Sequence, residues 1–108
     1  MRRVTGLNDV YTQEDADTKL TVENILNVGA GGVTGINLDP NDNNRLIVSA
    51  GGYGSQTHVQ YCENALSAAP TFRNVHGNLA SMPIYAATFN LNDPNMVILG
   101  TEFGIWAT

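Results

Sequence analysis

Apolar and polar positions alternate along much of this chain in short runs that end at glycine, asparagine or proline. Met96–Leu99 runs into the glycine-bearing turn Gly100–Gly104, and Ile105–Thr108 runs out of it. Short runs bounded by such turn residues predict β-strands joined as hairpins. The same plan predicts strands at Arg45–Ala50 and Val59–Cys62, joined by a glycine-rich loop. The pattern therefore predicts a chain that is almost wholly β, with no helix longer than one turn.

The N-terminal segment gives a weaker version of this pattern. It predicts a strand over residues 3–5, a turn over Gly6–Asp9 and a strand over Val10–Thr12, followed by an acidic loop. A helix over residues 14–24 is the alternative, because three of its residues would share a face. Several β-branched residues in that stretch disfavour a helix and favour a strand over residues 20–25.

The strand pattern repeats with a period of about 50 residues, the size of a kelch-class propeller blade. Residues 20–25 return as residues 70–75, and residues 36–39 return as residues 87–90. The repeat predicts an all-β fold made of β-propeller blades of four antiparallel strands, about two blade equivalents in all. The predicted division is the end of one blade over residues 1–32, a complete blade over 33–79 and three strands of the next blade over 80–108.

Apolar residues also predict which surfaces are covered. Leu46, Ile47 and Val48 are apolar on successive positions, so both faces of their strand are expected to be buried. The first and third repeats are expected to have bare faces, because two or so blades cannot close a ring. The apolar residues expected on those faces are Val4, Val10, Ile84, Val97, Leu99 and Trp106. The partners predicted from this are the remaining blades of a longer propeller or copies of the same chain.

Charge and composition exclude several classes of function. Ten acidic and five basic residues give a net charge of −5, so nucleic acid is not an expected partner. No apolar run is long enough to span a membrane, and the N-terminus lacks the apolar core of a secretory signal. The single cysteine, Cys62, cannot form an internal disulfide and is expected to be a small buried hydrophobe.

Five segments together resemble the repeats of sortilin-like β-propellers, which are known as BNR or Asp-box repeats. The segments are Val33–Pro40, Phe72–Val75, Gly77–Leu79, Met82–Ile84 and Gly100–Ile105. Similar repeats occur in xyloglucanase-type glycoside hydrolases and in large secreted proteins of Bacteroidetes-type bacteria. The resemblance covers nearly the whole chain. It implies an extracellular or cell-surface protein in which this segment has a structural or ligand-presenting role, with glycans as the candidate ligands.

The resemblance leaves the activity open, because the same repeat serves binding proteins and enzymes. The Asp-box turn is eroded: Cys62–Ala65 stands where its serine and aspartate would be, and Phe72 where its tryptophan would be. No residue aligns with a catalytic position of the family, so no catalytic residue and no cofactor are assigned. The alternative functions are part of a glycoside hydrolase that cuts a polysaccharide, or a self-assembling propeller protomer.

Three residues are candidates for ligand binding: Tyr53, Glu102 and Phe103. Tyr53 and Phe103 lie in matching predicted turns, where their rings could stack on sugar rings; packing at a blade edge is the other interpretation. Glu102 is the only acid in a strand-connecting loop of the repeat core. A glycosidase needs two carboxylates some 5 to 10 Å apart. A single acid is therefore compatible with a catalytic role but is not evidence for one.

Two patterns suggest metals only weakly, and no metal site is assigned. Asp39, Asn41 and Asn43 alternate as in an EF-hand loop. That loop requires a glycine and a bidentate glutamate that this sequence lacks, so an Asx turn is the expected structure. His58 and His76 are isolated from each other and from Cys62 in sequence, so a zinc site would depend on the fold.

Overall fold

The computed structural model describes residues 1–54 and 57–108. The described strands are β1 (Arg2–Thr5), β2 (Thr21–Asn24), β3 (Val33–Asp39), β4 (Asp42–Ala50), β5 (Val59–Cys62), β6 (Phe72–Asn74), β7 (Ile84–Phe89), β8 (Val97–Thr101) and β9 (Gly104–Ala107). One α-helix of seven residues, α1, spans Gln13–Lys19, and a 3-10 turn covers Leu7–Asp9. The prediction of an all-β fold with antiparallel strands is confirmed at this level.

The strands form three antiparallel sheets that follow one another along the chain. β1 pairs with β2, β3 to β6 form a four-stranded sheet in chain order, and β7 to β9 form a three-stranded sheet. In the first sheet Asn24 lies opposite Arg2, and in the second Asn74 lies opposite Gln60. β1 and β2 therefore correspond to the last two strands of the four-stranded sheet.

The N-terminal segment departs from the prediction in two ways. Residues 10–12 form no strand, and α1 follows them where a loop was expected. The prediction that no helix is longer than one turn is therefore wrong, because the seven residues of α1 make about two turns. Thr12 is the N-cap of α1, and its side-chain oxygen accepts a hydrogen bond from the Asp15 N–H. Lys19 in the last turn pairs with Asp15 at 3.0 Å. The cap and this ion pair stabilise α1, which ends before the β-branched residues Thr21 and Val22. The strand expected over residues 20–25 is present as β2.

The sheets pack face to face, with a separate apolar cluster on each side of the four-stranded sheet. One cluster lies between the four-stranded and three-stranded sheets and contains Ile47, Val59, Met82, Ile84, Ala87, Phe89 and Leu99. The other lies towards the segment that carries β1 and β2, and it contains Leu46, Val48, Cys62 and Ala65, with Met1, Leu26, Val28, Val33 and Phe72 packed against it. Strand β4 is thus covered on both faces, whereas Ile36 and Leu38 on β3 are 54% and 50% exposed.

Strand β4 lies at the centre of this arrangement. Leu46, Ile47 and Val48 are 5%, 1% and 0% exposed, so the prediction that both faces are buried is confirmed. Ile47 belongs to one apolar cluster, whereas Leu46 and Val48 belong to the other. Cys62 is buried beside Leu46, as its strand position predicted.

The prediction of bare faces is only partly correct. Ile84 and Leu99 are buried, because their side of the three-stranded sheet packs on the four-stranded sheet. Val4 and Trp106 are 43% and 47% exposed, as expected of outer surfaces. Val10 and Val97 are half-buried.

Hydrogen bonds between the second and third sheets join residues that are about one repeat apart. The Asn37 Oδ1 accepts from the Phe89 N–H at 3.1 Å, 52 residues along the chain. Arg45 Nη2 donates to the Pro94 carbonyl at 2.8 Å, and Thr34 Oγ1 donates to the Ile84 carbonyl, at separations of 49 and 50 residues. Consecutive repeats therefore lie side by side, with equivalent elements in contact.

Candidate functional site

The site is built where two loops of neighbouring sheets meet. Tyr53 lies in the connection between β4 and β5, and Glu102 lies in the turn between β8 and β9. The Tyr53 hydroxyl donates to the Glu102 carboxylate, with both carboxylate oxygens 2.7 Å away. The structure thus brings together two residues that the sequence placed in separate repeats.

The turn that carries Glu102 is fixed by its neighbours. The Thr101 hydroxyl donates to the Gly104 carbonyl at 2.9 Å and accepts from the Phe103 N–H at 3.1 Å. Gly104 has a φ of +112°, a backbone conformation that side-chain-bearing residues avoid. This tight turn projects Glu102 and Phe103 at the end of the hairpin.

A close backbone approach holds the connection that carries Tyr53. A Cβ on Gly31 would lie 1.9 Å from the Gly51 carbonyl oxygen, so no larger residue fits there without a shift of the backbone. The Gly51 N–H also donates to the Gly32 carbonyl at 3.1 Å. The two glycine-rich stretches, residues 29–32 and 51–54, therefore pack on each other beside Tyr53.

Exposed aromatic side chains lie at the same end of the sheets as the Tyr53–Glu102 pair. Phe103 is 73% exposed and Tyr53 is 63% exposed, so neither ring is used in the core. Tyr85, which the sequence did not single out, is 53% exposed and close enough to Tyr53 to act on its ionisation.

Glu102 controls the ionisation of its partner. The hydrogen bond from the Tyr53 hydroxyl to the Glu102 carboxylate raises the pKa of Tyr53, because losing the proton would leave two negative groups in contact. Tyr53 is therefore a hydrogen-bond donor at neutral pH. With Glu102 it offers one hydroxyl, one carboxylate and the flat faces of the nearby rings.

Two histidines lie beneath this end of the sheets. The rings of His58 and His76 are 5.2 Å apart between centroids, although eighteen positions separate them in sequence. His58 is fully buried, with its Nδ1 3.3 Å from the Ala50 carbonyl and its Nε2 3.4 Å from the Gly54 carbonyl. Within the described residues, no three acidic, histidine or cysteine side chains converge in a way that could hold a metal ion.

The EF-hand-like stretch is used for structure. Asp39 Oδ1 accepts from the Asn41 N–H at 2.9 Å, which confirms the predicted Asx turn. Asp39 Oδ2 pairs with Arg45 Nη1 at 2.8 Å, and Arg45 Nε donates to the Tyr61 hydroxyl at 2.9 Å. The Asp39 carboxylate is 1% exposed and is committed to these partners.

Comparison of the chain with protein-family models, with curated proteins and with solved structures finds no match. In the residues that the structure describes, no helix is long and apolar enough to cross a membrane.

Proposed function

We propose that the three sheets are consecutive blades of a β-propeller of the sortilin-like BNR type, in an extracellular or cell-surface protein. In this proposal the blades are a scaffold, and the loop end that carries Tyr53, Glu102 and Phe103 presents a ligand-binding surface. The ligand class is a glycan. The observation that carries the proposal is the Tyr53–Glu102 hydrogen bond, which joins corresponding loops of neighbouring sheets into one surface.

The contacts between sheets support the propeller part of the proposal. In a propeller, the first strands of neighbouring blades lie side by side around the axis. Here β3 and β7 are the first strands of their sheets, and Asn37 on β3 binds the backbone of Phe89 on β7. The four-stranded meander β3 to β6 has the strand number and order of a propeller blade.

The chemistry of the surface supports a glycan as ligand. One face of a pyranose ring presents mainly C–H groups, which pack well on an exposed aromatic ring such as Phe103 or Tyr85. The ring's hydroxyls can donate to the Glu102 carboxylate, a charged acceptor that forms stronger hydrogen bonds than a neutral one. An exposed aromatic group beside a fixed carboxylate therefore suits a neutral sugar better than an anionic one.

Calorimetric titration with neutral β-glucan and xyloglucan oligosaccharides tests the proposal. Wild-type protein is expected to bind at least one of them, and Phe103→Ser is expected to weaken that binding at least tenfold. Tyr11→Ser is the matched control, because Tyr11 is an 86% exposed aromatic residue outside the surface. Absence of binding to any of these glycans, or equal losses in the two variants, would contradict the proposal.

The glycoside hydrolase alternative makes a different prediction in the same assay. The loops at this end, residues 25–32, 51–54, 57–58 and 75–83, contain no acidic residue, so Glu102 has no second carboxylate there. We therefore expect bound glucans to remain uncut by this chain. Release of reducing sugar that is lost in Glu102→Gln would favour the hydrolase alternative.

Exposed apolar residues support partners for the outer sheets. Val4 and Val22 are directly opposite each other on β1 and β2, and they are 43% and 56% exposed. Ile105 on β9 is 81% exposed. Surfaces of this kind are costly in water and mark interaction sites. The proposed partners are further blades of the same propeller or copies of this chain.

A further inference from the structure

Within the described residues, the exposed carboxylate of Glu102 has no positively charged neighbour. None of the ion pairs in this part of the chain includes it. Neither lysine nor arginine occurs in the described segments at this end of the sheets, which are residues 25–32, 51–54, 57–58, 75–83 and 100–104. The basic side chains there are His58, which is fully buried, and His76, which is half-buried. A carboxylate in these surroundings favours a ligand that supplies positive charge.

Most of the hydrogen-bonding capacity of this carboxylate remains open. The Tyr53 hydroxyl is its only hydrogen-bond donor among the described residues, at 2.7 Å from both oxygens. A carboxylate has about four lone-pair positions, so one hydroxyl leaves most of them free. An ammonium group has three N–H donors and a full positive charge, whereas a hydroxyl has one donor and no charge. An ammonium group therefore matches the open positions better than a sugar hydroxyl does.

A β-bulge brings a second tyrosine next to this pair. Ile84 on β7 lies opposite Thr101, and the register shifts directly after it. Tyr85 is the extra residue of this bulge, so it lies beside the start of the turn that contains Glu102. Bulges often occur next to functional sites, where they redirect a side chain. Tyr85 also contributes to the raised pKa of Tyr53, after the hydrogen bond to Glu102, which places the two tyrosines near each other.

The bulge itself does not require an aromatic residue. Strand β3 has the same bulge between Val33 and Gly35, and Thr34 is its extra residue. Thr34 lies 51 positions before Tyr85, and its hydroxyl donates to the Ile84 carbonyl. The backbone feature is thus repeated in both sheets, but the exposed aromatic ring occurs only beside Glu102. The fold therefore does not account for the ring of Tyr85.

Three exposed aromatic rings accompany the carboxylate. Tyr53 bonds to Glu102, Phe103 follows it in the chain, and Tyr85 lies in the adjacent bulge. The face of an aromatic ring attracts a cation that lies within about 6 Å of the ring centre. The carboxylate and the rings therefore attract an organic ammonium group together. They do not suit a metal ion, because the described residues contain no group of three acidic, histidine or cysteine side chains that could hold one.

We propose that this site selects glycans that contain a protonated amino sugar. The amino group of the sugar donates to the Glu102 carboxylate, and the ring of Tyr85 or Phe103 contacts the sugar beside it. Tyr53, Tyr85 and Glu102 all lie at the junction between the second and third sheets. The inference rests on the proposed function, because it specifies which sugar the glycan-binding surface prefers.

Calorimetric titration with three β-1,4-linked tetrasaccharides tests the inference at mildly acidic pH, where amino groups are protonated. The tetrasaccharides are built from glucose, N-acetylglucosamine and glucosamine, so they share one backbone and differ at carbon 2 of each sugar. The glucosamine tetramer is expected to bind about tenfold more tightly than either neutral tetramer, because only it gains an ion pair and a cation–π contact. This preference is expected to decrease as salt is added.

Two glutamine variants locate the charge that is responsible. Glu102→Gln keeps the shape of the side chain and can still accept the Tyr53 hydrogen bond, but it lacks the charge, so it is expected to remove the preference. Glu14→Gln is the matched control, because Glu14 is an exposed acid on α1 that takes part in no described ion pair. This control changes the net charge equally and is expected to keep the preference.

Two tyrosine variants test the role of the aromatic ring. Tyr85→Ser is expected to weaken binding of the glucosamine tetramer about threefold, because it removes a cation–π contact. Tyr85→Phe keeps the ring and is expected to bind this tetramer like wild type. Equal losses in Tyr85→Ser and Tyr85→Phe would show that the ring does not contact the cation and would overturn this part of the inference.

The outcomes separate this inference from the proposed function. Equal binding of the charged and neutral tetramers would overturn the inference and leave the proposed function in place. Equal losses in Glu102→Gln and Glu14→Gln would also overturn it, because the preference would then reflect the net charge of −5 and not the site. Absence of binding by all three tetramers would contradict both.

Discussion

The strand at the centre of the fold provides the most direct test of how the sheets pack. Leu46→Ala, Ile47→Ala and Val48→Ala each remove buried carbons from β4, where the three side chains are at most 5% exposed. Ile47 faces the three-stranded sheet, and the other two face the segment with β1 and β2. The three variants therefore probe both interfaces of the four-stranded sheet.

The expected losses follow from the number of carbons removed. Burial of one methylene contributes about 0.8 kcal/mol, so Leu→Ala or Ile→Ala loses roughly 2.4 kcal/mol and Val→Ala roughly 1.6 kcal/mol before any cavity is counted. The residual cavity adds to this, which gives about 3 to 4 kcal/mol for Leu46 and Ile47 and about 2 to 3 kcal/mol for Val48. A domain of ordinary stability, about 5 to 15 kcal/mol, remains folded after any one of these losses.

Urea denaturation measures these differences in the free energy of unfolding, and the slope of that free energy against urea concentration is expected to be the same in every variant. Leu91→Ala is the matched control, because Leu91 lies in the β7–β8 connection and is 74% exposed; its expected cost is below about 0.5 kcal/mol. A β4 variant that is as silent as Leu91→Ala would show that one face of β4 is in contact with water. The face-to-face packing of the sheets would then be wrong.

Two further predictions test the buried charge and the outer sheets. Arg45→Met is expected to lower the free energy of unfolding by about 3 to 5 kcal/mol, because it leaves the buried Asp39 carboxylate without its cation. Arg73→Met is the control, because both side chains of the Arg73–Glu63 pair are 66% exposed, and its expected cost is less than about 1 kcal/mol. Equal costs of the two variants in urea denaturation would contradict this prediction. The wild-type chain is expected to self-associate at high micromolar concentration through its exposed apolar faces, and analytical sedimentation measures this association. A chain that sediments as a monomer and unfolds cooperatively in urea would argue against both the proposed partners and the propeller.

The strands of the second and third repeats could be predicted because local signals and burial agree there. Val59–Cys62 has the predicted bounds, since it is an apolar-rich run closed by turn residues. At the N-terminus the local signals conflict. The Thr12 cap and the Asp15–Lys19 pair form a helix between β1 and β2, in a connection that is longer than the one between β5 and β6.

That inserted helix explains why the first repeat was misaligned. The sequence matched residues 3–5 to the strand before a turn and residues 10–12 to the strand after it. In the structure β1 instead pairs with β2, across the helix, and has the register that β5 has with β6. A fixed offset between repeats fails wherever one connection is lengthened, and only strand pairing restores the correspondence.

The candidate site could be predicted as a set of residues but not as a geometry. Tyr53 and Phe103 stand in corresponding connections, and that correspondence suggested that the two aromatic rings act alike. Tyr53 bonds instead to Glu102, from a β4–β5 connection that is longer than the β8–β9 turn. The His58–His76 contact gave no local signal at all, since it arises from two loops that meet only after β6 has paired with β5.

The period nevertheless contains more information about contacts than the strand pattern alone. If consecutive repeats lie side by side, a residue in one repeat meets residues about one period later, whatever its type. The four hydrogen bonds Thr34–Ile84, Asn37–Phe89, Arg45–Pro94 and Tyr53–Glu102 have separations of 50, 52, 49 and 49 residues. The small differences do not reflect a change of offset, because β3 and β7 keep one offset of 51 residues in their pairing with β4 and β8. Each hydrogen-bond partner lies within two residues of the exact counterpart. A sequence repeat whose neighbouring units touch therefore predicts which pairs of residues can form a site, before any chemistry is considered.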